Sequence, residues 1–436
     1  MSATPAQHTG HISPCPHDPT PADGPRLAGD GPRLLTDPLG FVASVPSTEE
    51  IVAVRLGARE VHLVLSSDLV EQVLVDDASM FEAGWVGQGP GPASGHGLSA
   101  CPGPVRAARR RVIEPAFHWS RLADHARIAA ETAAEVAGCW SGGAELDVPR
   151  ETTRLALAAI TRSLVAGPAG DELTEAITEA LTDALTEAHD GALPALPDAV
   201  RAAVADTLDR RRGSAEEHTD ALSLLLSAQD QDGDGDAGLT DDQVGEELIA
   251  LILAGTEAPA ALLAWTLHEV SRRPDIEDRI LAEITTLLGD RPPTAADFTS
   301  LGYTRQVVGE ALRSYPQPFL LRRASRPVLV GGRRLVPGDE VLISPYALHH
   351  DPDLFPAPDR FDPDRYDRPA ARRALIPFGS DDRGCVGAGS AWQGMTIALV
   401  VLLSRWRFRP VSDQPVRPLV GRTVRPDRLV LAVNPR

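Results

Sequence analysis

The sequence predicts a mainly α fold with a small β-sheet region, gathered into one α+β unit, and three observations point there. Apolar residues recur every three to four positions through most of residues 105–288, the spacing of helices that bury one face. Strand-like stretches are short and confined to two places, around 51–65 and 328–343. No internal repeat and no polar linker divides the 436 residues into separate cores, although length alone would allow two or three domains.

Taken in order, residues 1–30 are rich in Pro, Gly, His and Asp without apolar periodicity, and are expected to be a flexible lead-in to a folded unit spanning 31–436. Residues 51–56 and 60–65 flank Gly57 as a hairpin. Residues 84–104 carry too many Gly and Pro for regular structure and are long enough to cover a pocket. Helices are expected at 105–114, 120–138, 150–165, 171–189 and 196–211. The strongest pattern, 239–273, opens with Thr240 and Gln243 at capping-box spacing and continues as a nearly unbroken apolar run. A helix apolar on most faces belongs in the centre of the protein. A helix at 303–315, strands at 328–335 and 340–343 around Gly331-Gly332 and Pro337-Gly338, and a last helix at 390–405 complete the series.

Composition narrows the function. A formal charge of −19 disfavours nucleic acid and anionic membranes as partners. Every basic side chain is Arg and none is Lys, which removes Schiff-base lysine chemistry and the phosphate-loop lysine together. Cys15, Cys101, Cys139 and Cys385 are scattered without a CxxC pair, against zinc and against a disulfide framework. With no signal-peptide pattern and no unbroken apolar run of bilayer length, the expectation is buried helices and a cytoplasmic enzyme. Asp230, Asp232, Asp234, Gly235 and Asp241 match a calcium loop on paper. The twelfth position is Asp rather than Glu, however, and Ala237 replaces the apolar anchor, so an acidic surface loop is the better reading.

The chemistry concentrates in Phe378-Gly379-Ser380-Asp381-Asp382-Arg383-Gly384-Cys385-Val386-Gly387, directly before the last helix. A lone cysteine is more often an inert buried thiol. Here other segments stand in order with it: Glu310 and Arg313 on one helix face, Pro363-Asp364-Arg365-Tyr366 downstream, Arg106 and Arg110 four residues apart, and Arg322. Together these resemble the cytochrome P450 superfamily, from about residue 51 to the C-terminus. The resemblance implies the P450 fold, haem b (iron protoporphyrin IX) and Cys385 as the axial iron ligand. A thiolate ligand pushes electron density toward the iron and favours O–O cleavage, and a helix N-terminus nearby helps keep it unprotonated.

By the same resemblance Phe378 shields the sulfur, Gly379 and Gly387 shape the loop, and Arg383, Arg106, Arg110 and Arg322 pair with haem propionates. Glu310 and Arg313 form a structural triad with Arg365, for which Arg360 in Pro358-Asp359-Arg360-Phe361 is the competing candidate. Asp381 stands where the family usually has a second Gly. Arg109 and Arg111 read as a solvated basic face that could dock an acidic ferredoxin.

On the central helix, Ala254-Gly255-Thr256-Glu257-Ala258-Pro259 resembles the family's oxygen-activation motif. Gly255 is expected to leave room for oxygen and substrate, and Glu257 to deliver protons. The usual Thr is replaced by Ala258, and Thr256 cannot substitute because a two-residue shift turns it to another face. Pro259 removes a backbone N–H and should kink the helix. The relay is therefore expected to be completed by a substrate hydroxyl or by ordered water.

Leu251, Ala254, Pro318 and Phe319 are the expected substrate contacts, which calls for a hydrophobic small molecule such as a terpenoid or polyketide. No flavin or reductase domain fits in the length, so a ferredoxin and an NAD(P)H-dependent ferredoxin reductase are the expected electron donors to a monomeric enzyme. Two rival readings are a non-catalytic haem-thiolate ligand-binding protein and a peroxide-driven or isomerising haem-thiolate enzyme.

Overall fold

The computed structural model describes residues 31–45, 48–56, 59–84, 97–98, 103–187, 196–214, 218–230, 239–367, 375–380 and 383–436. The expected lead-in and most of the pocket-covering stretch lie outside these residues. The helices are α1 (Gly31–Thr36), α2 (Pro38–Ala43), α3 (Ser67–Glu71), α4 (Gly103–Ile113), α5 (Leu122–Gly138), α6 (Val148–Leu164), α7 (Pro168–Glu187) and α8 (Asp198–Gly213). They continue with α9 (Ala221–Asp230), α10 (Asp241–Ser271), α11 (Pro274–Leu287), α12 (Gly302–Ser314), α13 (Pro345–His349) and α14 (Ala388–Arg405).

The strands are β1 (Ile51–Leu56), β2 (Arg59–Val64), β3 (Phe81–Ala83), β4 (Glu145–Asp147), β5 (Leu320–Ala324) and β6 (Val328–Val330). After them come β7 (Arg333–Leu335), β8 (Glu340–Ile343), β9 (Trp406–Pro410), β10 (Pro418–Val420), β11 (Val424–Pro426) and β12 (Val430–Pro435). The architecture is thus mainly α with small sheets.

α10 is the axle. Its start is the expected capping box: the Gln243 N–H donates to Thr240 Oγ1 at 3.3 Å, and the Thr240 N–H to Gln243 Oε1 at 2.9 Å. The chain stays helical through Pro259 to Ser271. By length and composition α10 could cross a bilayer, but most of its apolar stretch is buried inside the protein. Its C-terminal half packs with α5, α11, α12 and α14 in one large core, and its N-terminal half with α4, α6, α7, α8 and α9 in a second.

A five-stranded sheet in the order β1-β2-β8-β5-β3 lies beside these layers. Within it β2 and β8 run parallel, with Val61 opposite Glu340, and the remaining pairs are antiparallel. The turn between β6 and β7 uses Gly331 at φ 53° and Gly332 at φ 75°, a backbone region that costs a side-chain-bearing residue but not glycine. Of the calcium-loop candidates, Asp232, Asp234 and Gly235 lie outside the described residues. Asp241 is committed elsewhere, accepting from Arg212 Nη2 at 2.6 Å.

Candidate active site

Cys385 sits on the loop that feeds the N-terminus of α14. Gly379, at φ 70°, turns the chain, and the Cys385 N–H donates back to the Phe378 carbonyl at 2.9 Å. The Phe378 ring leans on Trp392 of α14, with centroids 6.0 Å apart. Burial pushes the Cys385 thiol up, while a hydrogen bond from the Gly387 N–H and the charge of Arg110 pull it back. The residue is nevertheless exposed.

Arginines gather around this loop. Arg110 Nη1 donates to the Gly384 carbonyl at 2.7 Å and Arg106 Nη2 to the Arg383 carbonyl at 3.4 Å, because positions four apart share the face of α4 turned to the loop. Arg383 Nη2 reaches the Phe81 carbonyl of β3 at 2.9 Å, and β3 pairs with β5, where Arg322 is buried. A thiol served by a backbone N–H, with Arg106, Arg110 and Arg383 around its loop and Arg322 on the strand next to β3, fits an iron porphyrin carrying two carboxylates.

The triad is closed. Arg313 Nε and Nη2 donate to the two Glu310 oxygens at 2.9 Å each, and Arg365 Nε donates to Glu310 Oε1 at 3.0 Å, all three side chains being buried. Arg360 is exposed and offers only its carbonyl, which accepts from Arg365 Nη2 at 2.9 Å, so the choice between the two arginines falls on Arg365.

Sequence reasoning missed the next link. Arg313 Nη1 also donates to the His349 carbonyl at 2.7 Å, and His349 Nε2 accepts from the Ile376 N–H at 3.1 Å. That tether joins the triad to the segment leading into the Cys385 loop. Complete burial, with His350 and Arg313 adding positive charge nearby, holds His349 down at about 3.

On α10 the structure corrects one expectation. A Cβ on Gly255 would meet Ile160 Cγ1 at 2.4 Å, so Gly255 faces α6 and serves helix packing rather than leaving room for oxygen. The residue open to solvent on this stretch of a buried helix is Ala254, with Ala258 half-buried one turn on. Thr256 is fully buried and its hydroxyl donates to the Ile252 carbonyl at 2.7 Å, so it faces away from a relay.

Glu257 lines an open cleft between α6, α7, α10 and the β10–β11 hairpin. Its Oε2 lies 3.7 Å from Arg422 Nε, while its Oε1 is buried with no hydrogen-bond partner among the described residues. Burial raises its carboxyl above the ordinary range, and Arg422 and Arg425 partly offset this. Among the described residues, none that lines this cleft belongs to the Cys385 loop.

Two further expectations need correction. Phe319 packs on the cluster around β1, β2 and α2, and it is the neighbouring Leu320 that approaches the Cys385 loop, its Cδ1 lying 3.9 Å from a Cβ built on Gly379. Pro318 and Leu251 are buried, Leu251 within the core around the N-terminal half of α10. Arg109 is not part of a solvated face: it is buried and its Nη1 lies 3.1 Å from Glu247 Oε2. Arg111 is exposed.

Comparison with known proteins converges on one family. The family model described as Cytochrome P450 matches residues 174–431. Cyclooctatin synthase of Streptomyces melanosporofaciens is 34% identical, covering 90% of this chain and 90% of its own. From the same organism, cyclooctat-9-en-7-ol 5-monooxygenase is 34% identical over 88% of each chain. Pentalenene oxygenase of Streptomyces avermitilis is 30% identical over 94% of this chain and 96% of its own. Among solved structures, the cytochrome P450DA heme domain superposes with a TM-score of 0.78 at 24% identity, covering 94% of both chains. With sequence relatives spanning nearly its full length and a thiol loop set among arginines, the chain belongs to the cytochrome P450 family.

Proposed function

We propose that this P450 monooxygenase inserts one oxygen atom from dioxygen into a hydrophobic terpenoid-type molecule, with proton delivery completed by water or by a substrate hydroxyl. The carrying observation is Glu257, a half-buried acid lining an open cleft with a raised carboxyl pKa, directly before Ala258, which has no hydroxyl to pass a proton on. The relatives named for cyclooctat-9-en-7-ol and pentalenene support a largely apolar, terpenoid-type substrate. Apolar side chains near the loop and small ones on α10 suit such a molecule.

Haem b, held through Cys385, supplies the dioxygen chemistry, and the net conversion takes R–H, O2, two electrons and two protons to R–OH and water. The protein's own groups do the rest. Arg106, Arg110, Arg322 and Arg383 are the residues that would hold the two propionates, and the Gly387 N–H would stabilise negative charge on the sulfur. Glu257 keeps a proton at pH values where a free carboxyl has lost it, and water in the cleft resupplies that proton. The electrons come from a ferredoxin and its reductase, with exposed Arg111 offering positive charge to an acidic donor in the cytoplasm.

The test has two steps. The reduced protein with carbon monoxide is expected to show the thiolate-type Soret band, and labelled dioxygen with ferredoxin and reductase is expected to label the product. Ala258→Thr then separates two mechanisms. If water or substrate completes the relay, the native substrate couples tightly without the threonine and gains little from it. Improved coupling on every substrate would favour the second reading, raised by Ala258 itself, of a peroxide-driven enzyme that turns over without NAD(P)H.

A further inference from the structure

The tether beside the thiol loop hangs on a side chain that folding alone would not choose. His349 is 0% exposed, and its Nε2 accepts from the Ile376 N–H at 3.1 Å. That nitrogen is therefore bare, and the ring proton sits on Nδ1. Nδ1 is buried and has no hydrogen-bond partner among the described residues. A buried donor without a partner lowers stability, and an apolar residue of similar size would fill the place without one. Burial also keeps the ring uncharged, which an acceptor nitrogen requires.

The place of this bond gives it meaning. Ile376 spends its N–H on His349, and its carbonyl accepts from the Gly379 N–H at 3.2 Å. The next link is the Cys385 N–H donating to the Phe378 carbonyl, so Phe378 and Cys385 close the base of the loop. Arg106 and Arg110 reach the Arg383 and Gly384 carbonyls beyond that base, whereas His349 holds the base itself. The ring that does so is fixed in direction. Phe355 meets it nearly edge-on, with centroids 6.0 Å apart at 75°, and the Arg313 guanidinium lies 5.6 Å from the same Phe355 ring.

We propose that His349 is a positioning residue for the axial ligand: its bare Nε2 holds the base of the loop where the Cys385 sulfur bonds the iron. It rests on the reading of Cys385 as that ligand. The histidine touches no reacting atom. What this point of the fold requires is an acceptor of fixed direction, and the imidazole provides one while stranding a proton on Nδ1. Groups that orient a metal ligand without touching the metal contribute roughly 10–100-fold to the strength of the site.

The experiment uses the haem-loaded full chain and reads the carbon monoxide difference spectrum of the reduced protein, together with amide exchange at Ile376. His349→Leu removes the acceptor. The ratio of protein outside the thiolate-type band to protein within it is expected to rise about tenfold, equivalent to about 1.4 kcal/mol. His349→Met, whose sulfur is only a weak acceptor, is expected to follow it and serves if the leucine variant does not fold. His349→Gln, whose Oε1 reaches the place of Nε2, is expected to return the ratio to within about twofold of wild type. The Ile376 amide is expected to exchange faster in the Leu and Met variants and at close to the wild-type rate in the Gln variant.

General loosening of the core would move all three variants alike. An intact thiolate-type band in the apolar variants, or the same loss in His349→Gln, would overturn the proposal. A wild-type protein without that band would overturn the reading of Cys385 as ligand instead, and the Ile376 exchange rates would still decide whether His349 holds the loop.

Discussion

Cys385 is a residue whose role follows from its neighbours. Its thiol is raised by burial and pulled back by the Gly387 N–H and Arg110, so it favours a thiolate only where a metal takes up the charge. Cys385→Ser is accordingly expected to abolish the thiolate-type Soret band of the reduced carbon monoxide complex, read by difference spectroscopy. Glu257 carries a signed pH dependence. Its pKa is raised, so the protonated donor is present below that pKa and is lost as pH rises through it. Product formed per electron supplied is expected to fall on that alkaline limb, and Glu257→Gln, which cannot titrate, should give a low and flat profile over the same range.

Cys385, Glu257 and the Glu310/Arg313 pair were readable from short motifs, because their chemistry needs particular types at particular spacings. Glu247 and His349 were not. Each is defined by partners distant in the chain, Leu98 and Arg109 for one and Ile376 for the other, and no local pattern announces such a partner.

At the scale of elements, the contact between α6 and α10 decides what Gly255 is for. Gly255→Ala drives a methyl into Ile160 and is expected to cost about 1–3 kcal/mol in denaturant unfolding, the usual range for overpacking. In a double-variant cycle with Ile160→Ala, the two costs should add to more than the measured total, since the truncated side chain clears the space. The triad ties α12 to the segment around Arg365. Arg365→Ala leaves Glu310 buried with part of its charge uncompensated and is expected to cost about 3–5 kcal/mol. Arg360→Ala should be near neutral, since only its backbone takes part.

Most long helices with a steady apolar period were readable to within a few residues, α10 with its cap most clearly of all, while α9 and α11 were not expected as separate helices. The short strands around 51–64, 328–335 and 340–343 were readable too, whereas those near the C-terminus were not. β9, β10, β11 and β12 are short, and β12 exists as a strand because β4 and β9, from distant parts of the chain, pair on either side of it.

Across the whole molecule, histidines set an acid limit. Burial holds His125, His268 and His350 at about 4 and His349 at about 3, against 6.5 for a free imidazole. Their folded pKa values are depressed, so below pH 6.5 the unfolded chain takes up protons that the folded chain refuses, and stability is lost as pH falls from there toward 3. A tenfold weaker hold on the proton corresponds to about 1.4 kcal/mol for a fully buried group. His349 alone should account for a few kcal/mol, and partly exposed His268 for less. Unfolding midpoints measured between pH 7 and pH 4 are expected to drop steadily, and replacing His349 with a residue that cannot titrate should flatten part of that slope.

What the sequence determined by itself was the succession of helices, the central apolar one among them, and the thiol loop before the last helix. Both are local matters of residue type and period. The tertiary structure alone decided which of two arginines joins Glu310, which face of α10 Gly255 presents, and that Arg109 is buried against Glu247. Each of these depends on a neighbour from a different part of the chain, and close packing gives that neighbour its position only once the elements have come together.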